Sequence, residues 1–504
     1  MNKTGYLLGY DIGSSSIKAS LIEIDSGHAA ASAVSPESEM EIISSRPGRA
    51  EQHPELWWEH VMRATAMLRS KSGIDLHDVK AIGIAYQMHG LVMVDNQKRV
   101  LAPSIIWCDS RAVETGNKAM EAIGRKKCLR YLLNSPGNFT ASKLKWVKDN
   151  TPDIYRRIFK IMLPGDFIAM KLTGRIVTTP LGLSEGILWD FQRQRPADFV
   201  LEHYGISPEL LPEISPCFSV QGEVTKECAG ELGLKIGTPV AYRAGDQPNN
   251  ALSLNVFNPG EVAATAGTSG VVYGVTDVAT HDAACRVNTF VHVNNAPRTP
   301  RYGVLLCVNG TGILNRWFRT VLSSWNTQGL SYEQMNAEAV QAPAGCDGLF
   351  ILPYGNGAER TLENRNIHAS IHGIDLTRHT RGHIIRAAQE GIVFALRYGL
   401  DIMRNMGLSI RVVRAGHANM FKSELFAEVF AAVSRAQLEL YNTDGSQGAA
   451  RGAGIGAGIY KSFNEAFANL NLVRRITPDK KTGHFYEKRY AEWKDILKQH
   501  DSSH

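Results

Sequence analysis

The sequence predicts an α/β protein built from two related halves. Short apolar segments with strand character alternate with amphipathic helical segments, which is typical of α/β layers. A strand, a turn of Gly and Ser and a second strand open the chain, and the same succession recurs near residue 260. A length of 504 residues allows two to four domains at about 150 residues each. We therefore place one boundary near residue 255 and expect domains at 1–255 and 256–504.

Composition excludes several classes of protein. Apolar residues make up 44% and charged residues 21%, as in ordinary globular proteins and unlike disordered chains. The net charge of +6 is spread over a large surface, so we expect no nucleic-acid partner. Seven cysteines without a CxxC pair argue against a disulfide framework or zinc site and favour the cytoplasm. No apolar run approaches the ~18 residues of a membrane span, and Asp11 follows too soon for a signal peptide.

The first half contains a hairpin, a helix and a further strand. Residues 6–13 and 17–24 have strand character and flank a Gly/Ser turn. A helix is predicted from Pro54, because proline suits a first helical turn. On one face it carries apolar residues at helical spacing, namely Trp57, Val61, Ala64 and Leu68. Residues 79–85 return as a strand.

The second half repeats the hairpin and adds a long helix. Residues 260–266 and 271–275 are predicted strands around the turn Gly267–Gly270. The spacing of apolar residues predicts a helix over 383–406, with Gly407 as its stop signal. The charged and aromatic tail from Arg474 is predicted to be a helix packed on the second domain. The glycine run 452–458 is expected to start a tightly packed helix.

Several common catalytic motifs are absent from the sequence. GxxxxGK[ST], GxGxxG and HExxH do not occur, which removes the usual P-loop, dinucleotide-binding and metalloprotease interpretations.

The segment Asp11–Lys18 is a candidate phosphate site. Its Gly13, Ser14 and Ser15 form a turn whose backbone N–H groups and hydroxyls suit phosphate oxygens, and Lys18 adds a positive charge. Asp11 at the strand end could hold Mg²⁺ beside those phosphates. The alternative is an ordinary polar hairpin whose turn is capped by Asp11.

The turn Gly267–Gly270 has the same character. With Thr268 and Ser269 it would form a second phosphate cradle, facing the first across a cleft. The alternative is a plain turn. Two such loops beside one cleft favour a nucleotide clamp more than either loop does singly.

Asp246 is a candidate general base. It follows small residues that allow a ligand to approach closely, and its carboxylate could accept the proton of a sugar hydroxyl that attacks phosphorus. The alternative is that Asp246 caps a helix starting at Asn249.

Two further segments suit a polyol, and two more suit a nucleoside. Gln87, Met88 and His89 follow a strand, and Trp107 and Asp109 lie nearby in sequence; polar groups beside apolar ones suit a sugar. The alternative for His89 is a core residue with its hydrogen bonds satisfied. The Gly-rich turns at 352–360 and 414–419 would allow flat contact with adenine and ribose, or are simple loops.

Taken together, these segments resemble the FGGY family of carbohydrate kinases over nearly the whole chain. The most specific segment is QMHG at 87–90, which is typical of the members that act on xylulose. Other family-like segments are 51–58, 106–111, 163–166, and 139–146 and 369–390, which are similar to the two family signatures. The family's usual GGGDN reads RAGDQ at 243–247, so Gln247 stands where Asn is usual.

The resemblance implies two ribonuclease-H-like domains of the actin and sugar kinase type, with ATP and Mg²⁺ in the cleft between them. It implies phosphorylation of D-xylulose, a small-molecule sugar partner and a possible homodimer. By resemblance, Asp246 is the catalytic base, Asp11 lies near the phosphates, and Met88 and His89 contact the sugar. Thr268 and Ser269 would bind phosphate, and Gly312, Gly416 and Asn419 would contact adenosine. The alternatives are another ketose or polyol such as ribulose, and a non-catalytic, actin-like nucleotide-binding regulator.

Overall fold

The computed structural model describes residues 5–323 and 329–502, which divide into two compact units. The first unit contains the chain up to Phe257, together with Thr289–Tyr302 and Thr443–Leu470. The second contains Asn258–Asn288, Gly303–Asn442 and the chain from Asn471. The main division falls two residues from the boundary expected at 255. The division differs from a single cut, because two later segments return to the first unit.

A mixed six-stranded sheet forms the centre of the first unit. Its strands follow the spatial order Phe218–Glu223, Pro239–Gly245, Val79–Tyr86, Tyr6–Ile12, Ile17–Glu23 and Ala29–Ser35. Tyr6–Ile12 pairs antiparallel with the hairpin strand Ile17–Glu23 and parallel with Val79–Tyr86, which in turn pairs parallel with Pro239–Gly245. The predicted first hairpin and third strand are confirmed.

The helices of the first unit surround this sheet. They are Pro54–Ser72, Val113–Ile123, Arg125–Tyr131, Thr140–Asn150, Pro152–Tyr155, Pro164–Thr173, Pro180–Glu185, Asp198–Tyr204, Lys226–Leu232, Asp246–Ser253, Gly445–Gly456 and Phe463–Ala466. Short two-stranded ladders join Glu51–Gln52 to Ser104–Ile105, Val92–Val94 to Lys160–Met162, Val177–Thr178 to Glu213–Ile214, and Trp189–Asp190 to Arg195–Pro196. The helix predicted from Pro54 is confirmed, and its four apolar positions are fully buried.

Small residues explain why the late segment 443–470 packs with the first unit. Helix Gly445–Gly456 crosses the sheet so closely that a Cβ on Gly9 would lie 1.9 Å from the main-chain oxygen of Ser446. A Cβ on Gly83 would lie 1.9 Å from that of Ala449. The glycine run 452–458 therefore closes this helix and does not start one, because the N-cap is Asp444, whose side chain accepts from Gln447 N.

The second unit repeats the arrangement of the first. Six of its strands lie in one sheet in the order Tyr302–Val308, Gly270–Thr276, Glu261–Ala266, Val412–Gly416, Gln437–Tyr441 and Leu472–Ile476. Glu261–Ala266 pairs antiparallel with the next strand of its hairpin and parallel with Val412–Gly416. From Leu472–Ile476 to Tyr302–Val308, this order corresponds to that of the first sheet from Phe218–Glu223 to Ala29–Ser35. The hairpin pairing is antiparallel and the next pairing parallel in both sheets, which supports the interpretation of two related halves.

The remaining elements complete the second unit. Its helices are Gly312–Ser323, Tyr332–Gln341, Arg381–Asn405, Glu424–Ser434 and Lys480–Asp501, and Phe350–Leu352 pairs with Ser370–His372. The strand Asn288–Val291 belongs to the first unit except for its first residue. The predicted long helix is confirmed, and Gly407 follows it with φ +98°. The tail helix buries Tyr486, Tyr490, Trp493 and Leu497, so it is part of the core. Among the described residues, no helix combines the length and apolar character that crossing a membrane requires.

Candidate functional site

Three parallel strands of the first unit end side by side. Ile12 pairs with Tyr86, and Tyr86 pairs with Gly245. The carboxyl ends of parallel strands meet at one edge of a sheet, which is where α/β proteins commonly bind ligands. The segments that follow these ends begin at Gly13, Gln87 and Asp246. The register therefore brings together the candidate phosphate loop (Asp11–Lys18), the candidate sugar segment (Gln87–His89) and the candidate base of the first unit; the first two are called the phosphate loop and the sugar segment below.

The first loop is a tight hairpin turn. Gly13 N donates to Ser16 O at 3.1 Å, and Asp11 stands opposite Lys18 in the ladder. Ser14 lies partly exposed and Ser15 exposed in the turn. Burial raises the pKa of Asp11, the Lys18 ammonium lowers it, and Asp444 raises it further.

Asp444 and its helix are a part of this site that sequence reasoning missed. A Cβ on Gly445 would lie 2.4 Å from Asp11 Oδ2, so the helix start packs directly against the carboxylate. Asn249 Nδ2 donates to Gly445 O at 2.8 Å, while Asn249 Oδ1 is buried without a hydrogen-bond partner. The one available signal was Asp444 followed by small residues, a pattern that predicts an N-cap but not which sheet the helix meets.

The donors around Asp11 are of the kind that Mg²⁺ prefers. Carboxylate and amide oxygens are hard ligands, and Mg²⁺ is usually held by one or two carboxylates together with phosphates and water. Within the described ranges, no three His, Cys, Asp or Glu side chains converge to hold an ion by themselves. The residues present therefore fit an ion shared between Asp11 and a phosphate ligand, and do not form a closed protein cage.

Asp246 stands at the junction of a strand and a helix. Pro239–Gly245 ends one residue before it, and Asp246 is the first residue of helix Asp246–Ser253. The helix starts three residues earlier than Asn249 and Gly245 occupies the cap position, so the interpretation of Asp246 as the cap is wrong.

The surroundings of Asp246 bring its carboxyl group into the range of a general base. Burial raises its pKa from 3.8 to about 7, and the negative charge of Asp11 adds to the rise. The side chain of Gln247 donates Nε2–H to Asp246 Oδ2 at 3.1 Å, which lowers the pKa in part. A base whose pKa lies near the working pH transfers protons most effectively.

The sugar segment follows the central strand. Gln87 and Met88 are buried, and Gln87 N donates to Ile12 O at 2.8 Å. A Cβ on Gly245 would lie 2.6 Å from Met88 Cγ and 2.7 Å from Glu185 Oε2. Met88 and Glu185 therefore lie directly against the end of the strand that precedes Asp246.

His89 has a fixed orientation. Its backbone is left-handed, with φ +62°, and its ring Nδ1 donates to the main-chain oxygen of Glu185 at 2.9 Å. The ring also packs edge-on against Phe139 at 4.8 Å between centroids. Because a carbonyl oxygen only accepts, Nδ1 carries a proton.

Trp107 and Asp109 lie in different environments. The Trp107 side chain is 47% exposed. Its Nε1 donates to Ser14 Oγ at 3.3 Å, and this hydrogen bond joins the loop that carries Trp107 to the phosphate loop. Asp109 is fully buried and accepts from Ala50 N at 2.7 Å and from the Arg111 guanidinium at 2.7 Å. The structure thus brings Trp107 to the other candidates, whereas the carboxylate of Asp109 holds the loop together from inside.

Two buried ionisable residues near these segments, Glu185 and Lys143, were not identified as candidates from the sequence. Burial raises the pKa of Glu185 well above its usual range; nearby Tyr86 lowers it and Asp246 raises it. Burial lowers the pKa of Lys143 to about 7. Lys143 falls within the family-like segment 139–146, but its contacts require the fold.

The second unit carries its own loop cluster. Gly312 N donates to Gly267 O at 2.9 Å and Ile313 N donates to Thr268 O at 3.1 Å, so the helix Gly312–Ser323 begins directly on the hairpin turn. A Cβ on Gly267 would lie 3.4 Å from Asn419 Nδ2. The turn that contains Ser269 therefore meets two of the residues expected to contact adenosine.

Gly416 ends a strand beside this cluster. It closes Val412–Gly416, accepts from Ala418 N at 2.7 Å and precedes Asn419, whose φ is +51°. Glu359, from the Gly-rich turn at 352–360, is fully buried and accepts from Asn309 N at 3.0 Å. Burial raises the pKa of Glu359 to about 7. Glu359 thus supports the backbone just before Gly312.

Comparison with known proteins agrees with this geometry. Residues 6–253 match the N-terminal domain of the FGGY family of carbohydrate kinases, and residues 262–459 match the C-terminal domain of that family. The xylulose kinase of Escherichia coli (strain K12) is 29% identical over 501 residues, with 98% of each chain covered. The L-xylulose/3-keto-L-gulonate kinase of the same strain is 27% identical over 510 residues, covering 98% of this chain and 96% of the relative.

A solved structure matches at the level of the whole fold. The crystal structure of xylulose kinase from Rhodospirillum rubrum aligns with a TM-score of 0.87 at 26% identity, covering 98% of each chain. The predicted fold of two α/β domains of the sugar kinase type is thereby confirmed. The chain belongs to the FGGY family of carbohydrate kinases.

Proposed function

We propose that this carbohydrate kinase transfers the γ-phosphoryl group of ATP to the terminal hydroxyl of D-xylulose, giving D-xylulose 5-phosphate and ADP. The observation that carries the proposal is the position of Asp246. Burial and the negative charge of Asp11 raise the pKa of its carboxyl group to about 7, and Asp246 follows a strand packed against Met88 of the sugar segment. A base, an anion-binding turn and a polyol segment at one sheet edge suit phosphoryl transfer to an alcohol.

Asp246 acts as the base. Its ionised carboxylate accepts the proton of the sugar hydroxyl while the hydroxyl oxygen forms a bond to the γ-phosphorus. The bond from that phosphorus to the bridging oxygen of ADP breaks, and ADP leaves. The Gln247 amide, which donates to Asp246 Oδ2 at 3.1 Å, holds the carboxylate in one orientation.

Each unit carries a turn whose donors suit phosphate oxygens. In the first unit, Gly13, Ser14 and Ser15 supply N–H and hydroxyl donors, and Lys18 supplies a positive charge. In the second unit, Thr268 and Ser269 supply further N–H and hydroxyl donors, and Gly312, Gly416 and Asn419 contact the adenosine. Mg²⁺, held by Asp11 together with the phosphates, would neutralise charge that develops during transfer.

The sugar is bound by the segment at 87–89 and by Trp107. Met88 provides an apolar surface, Gln87 Oε1 is buried without a hydrogen-bond partner and can accept from a hydroxyl, and the half-exposed indole of Trp107 covers an apolar edge of the sugar. The His89 ring, which is oriented by its Nδ1–H donation to the main-chain oxygen of Glu185, contacts the sugar as well.

A second candidate substrate is L-xylulose or another ketose. The relative named L-xylulose/3-keto-L-gulonate kinase matches this chain over nearly the same length as the xylulose kinases. Gln247, next to the base, is one methylene longer than the asparagine usual in the family and could suit a different acceptor.

The experiment is a coupled assay of ADP release with a panel of sugars: D-xylulose, L-xylulose, D-ribulose, L-ribulose and glycerol. The proposal expects the highest kcat/KM for D-xylulose. A clear preference for another member of the panel would change the substrate and keep the mechanism. ATP consumption without dependence on any sugar would contradict both and favour a regulator.

A further inference from the structure

Side chains at the start of one helix bind the main chain of the sugar segment and of the loop that carries Trp107. The helix is Thr140–Asn150, within the family-like segment 139–146. Lys143 Nζ donates to His89 O at 2.8 Å and to Ile106 O at 2.9 Å. Just before the helix, Asn138 Nδ2 donates to Asp109 O. The helix therefore joins the turn after the central strand to the loop that carries Trp107.

The turn that Lys143 holds is conformationally costly. His89 has φ +62°, a left-handed conformation that residues with a Cβ adopt at a cost unless their surroundings fix it. Two bonds fix it here. Lys143 binds the main-chain oxygen of His89, and the main-chain oxygen of Glu185 binds its ring. Such strain at a binding segment is typical of a site that is arranged before its ligand arrives.

Burying the side chain of Lys143 has a free-energy cost. Its side chain is fully buried, and a buried ammonium loses its hydration unless acceptors replace the water. A methionine of similar length would fill the same volume without that loss. Two main-chain carbonyl oxygens accept hydrogen bonds from the Lys143 ammonium, and the negative charges of Asp109 and Glu185 stabilise it further. What a lysine provides here, and a methionine would not, is the pair of hydrogen bonds that connects the two segments.

We infer that Lys143 is a positioning residue for the sugar site, which fixes the His89 turn and the Trp107 loop relative to each other. It does not touch the acceptor, because no part of its side chain is exposed. The inference rests on the proposed function, since it concerns the affinity of that site for its sugar. Preorganised binding segments lose less freedom when the ligand binds, so their loss weakens sugar binding more than it slows the chemical step.

The test compares Lys143→Met with Lys145→Met in the full-length protein. Lys145 lies on the same helix, but its side chain is partly exposed and paired with Asp149. KM for the best sugar of the panel, KM for ATP, kcat and Tm are measured for both variants. For Lys143→Met, a rise in sugar KM of about tenfold or more is expected, with kcat and ATP KM within about threefold. Lys145→Met should match the wild type in every quantity.

Equal losses in kcat and in both KM values, or a fall in Tm with an unchanged sugar KM, would overturn the inference, because a purely structural lysine gives those patterns. If Lys143→Met is not recovered folded, Lys143→Gln, which keeps one N–H donor, replaces it with the same criteria and a smaller expected rise in sugar KM. A wild type inactive on every sugar contradicts the proposed function itself, whereas an active wild type with an unaffected variant contradicts only the role of Lys143.

Discussion

Gly445 packs so closely against Asp11 that a Cβ on residue 445 would lie 2.4 Å from the Asp11 Oδ2 atom. Real Cβ atoms do not approach other atoms this closely, so an alanine there must displace either the carboxylate or the helix start. The first helical position behind the phosphate loop therefore has to lack a side chain.

Gly445→Ala is expected to lower kcat/KM by about tenfold or more, because Asp11 can no longer keep its position beside the phosphates. Steady-state kinetics measure the change. Gly230→Ala is the matched control, since a Cβ on that helical glycine meets nothing within 4 Å and alanine favours a helix. Equal kcat/KM in the two variants would show that the position of Asp11 does not matter.

Asp246→Asn is expected to reduce kcat by about 10²- to 10⁴-fold, the range that a general base contributes. Sugar affinity should stay within about threefold, because the amide keeps the size of the side chain. Turnover and calorimetric titration with sugar measure the two effects. Asp153→Asn, at an exposed carboxylate paired with Arg156, serves as control. Near-normal turnover in Asp246→Asn would remove Asp246 from the role of base.

The acid limb of the pH profile should follow Asp246. With a pKa of about 7, the base is ionised above pH 7 and lost below it, so kcat/KM falls as the pH drops through 7. Gln247→Leu removes the N–H donor to Asp246 Oδ2, which raises the pKa and moves the limb to higher pH. Gln97→Leu, at an exposed position, should leave it in place. A limb that moves to lower pH in Gln247→Leu would be inconsistent with this electrostatic account.

Asp246 should also reduce stability at neutral and alkaline pH. Its folded-state pKa of about 7 lies above the ~3.9 of an unfolded chain, so ionisation favours the unfolded state. Asp246→Asn should therefore match the wild type in Tm below about pH 4, exceed it increasingly as the pH rises to about 7, and keep that advantage without further increase above pH 7. Thermal unfolding at pH 4, 6 and 8 measures this, and a lower Tm for the variant at pH 8 would be the opposite result.

Gly312→Ala should weaken nucleotide binding. Its Cβ would lie 2.2 Å from Gly267 O and would push the turn of the second unit away from the helix start. We expect KM for ATP to rise by about tenfold or more, with sugar binding in the absence of nucleotide unchanged. Titrations with each ligand separate the two, and an unchanged ATP affinity would exclude the turn from the nucleotide site.

Much of this architecture could be predicted from the sequence because its signals are local. The hairpin at Tyr6–Glu23, the helix at Pro54 and the long helix ending before Gly407 each follow from strand pattern, proline or glycine chemistry and apolar spacing. The candidate base could be named too, although a helix beginning at Asn249 was expected. The helix begins at Asp246 itself, three residues earlier. For this reason Asp246 does not cap the helix, and its carboxyl group feels the negative charge of Asp11 instead.

The rest depends on contacts distant in sequence. The segment that starts at Asp444 joins the first unit only because Gly9 and Gly83 leave room for its helix. The environments of Lys143 and Glu185 require the folded sheet, because burial shifts their pKa values. The buried pair of Asp109 with Arg111 could not be predicted either, because a polar residue in a loop gives no local signal of such a pair. The expected contact of Asp109 with the substrate stays a prediction. The homodimer remains a prediction.

Analysis of the product tests the central claim most directly. The enzyme is incubated with ATP, Mg²⁺ and D-xylulose, and the sugar phosphate and ADP are quantified by ³¹P NMR for the wild type and Asp246→Asn. The account predicts one ADP for each D-xylulose 5-phosphate in the wild type and a loss of both in the variant. Phosphorylation that persists in Asp246→Asn, or ADP formed without any sugar phosphate, would contradict it.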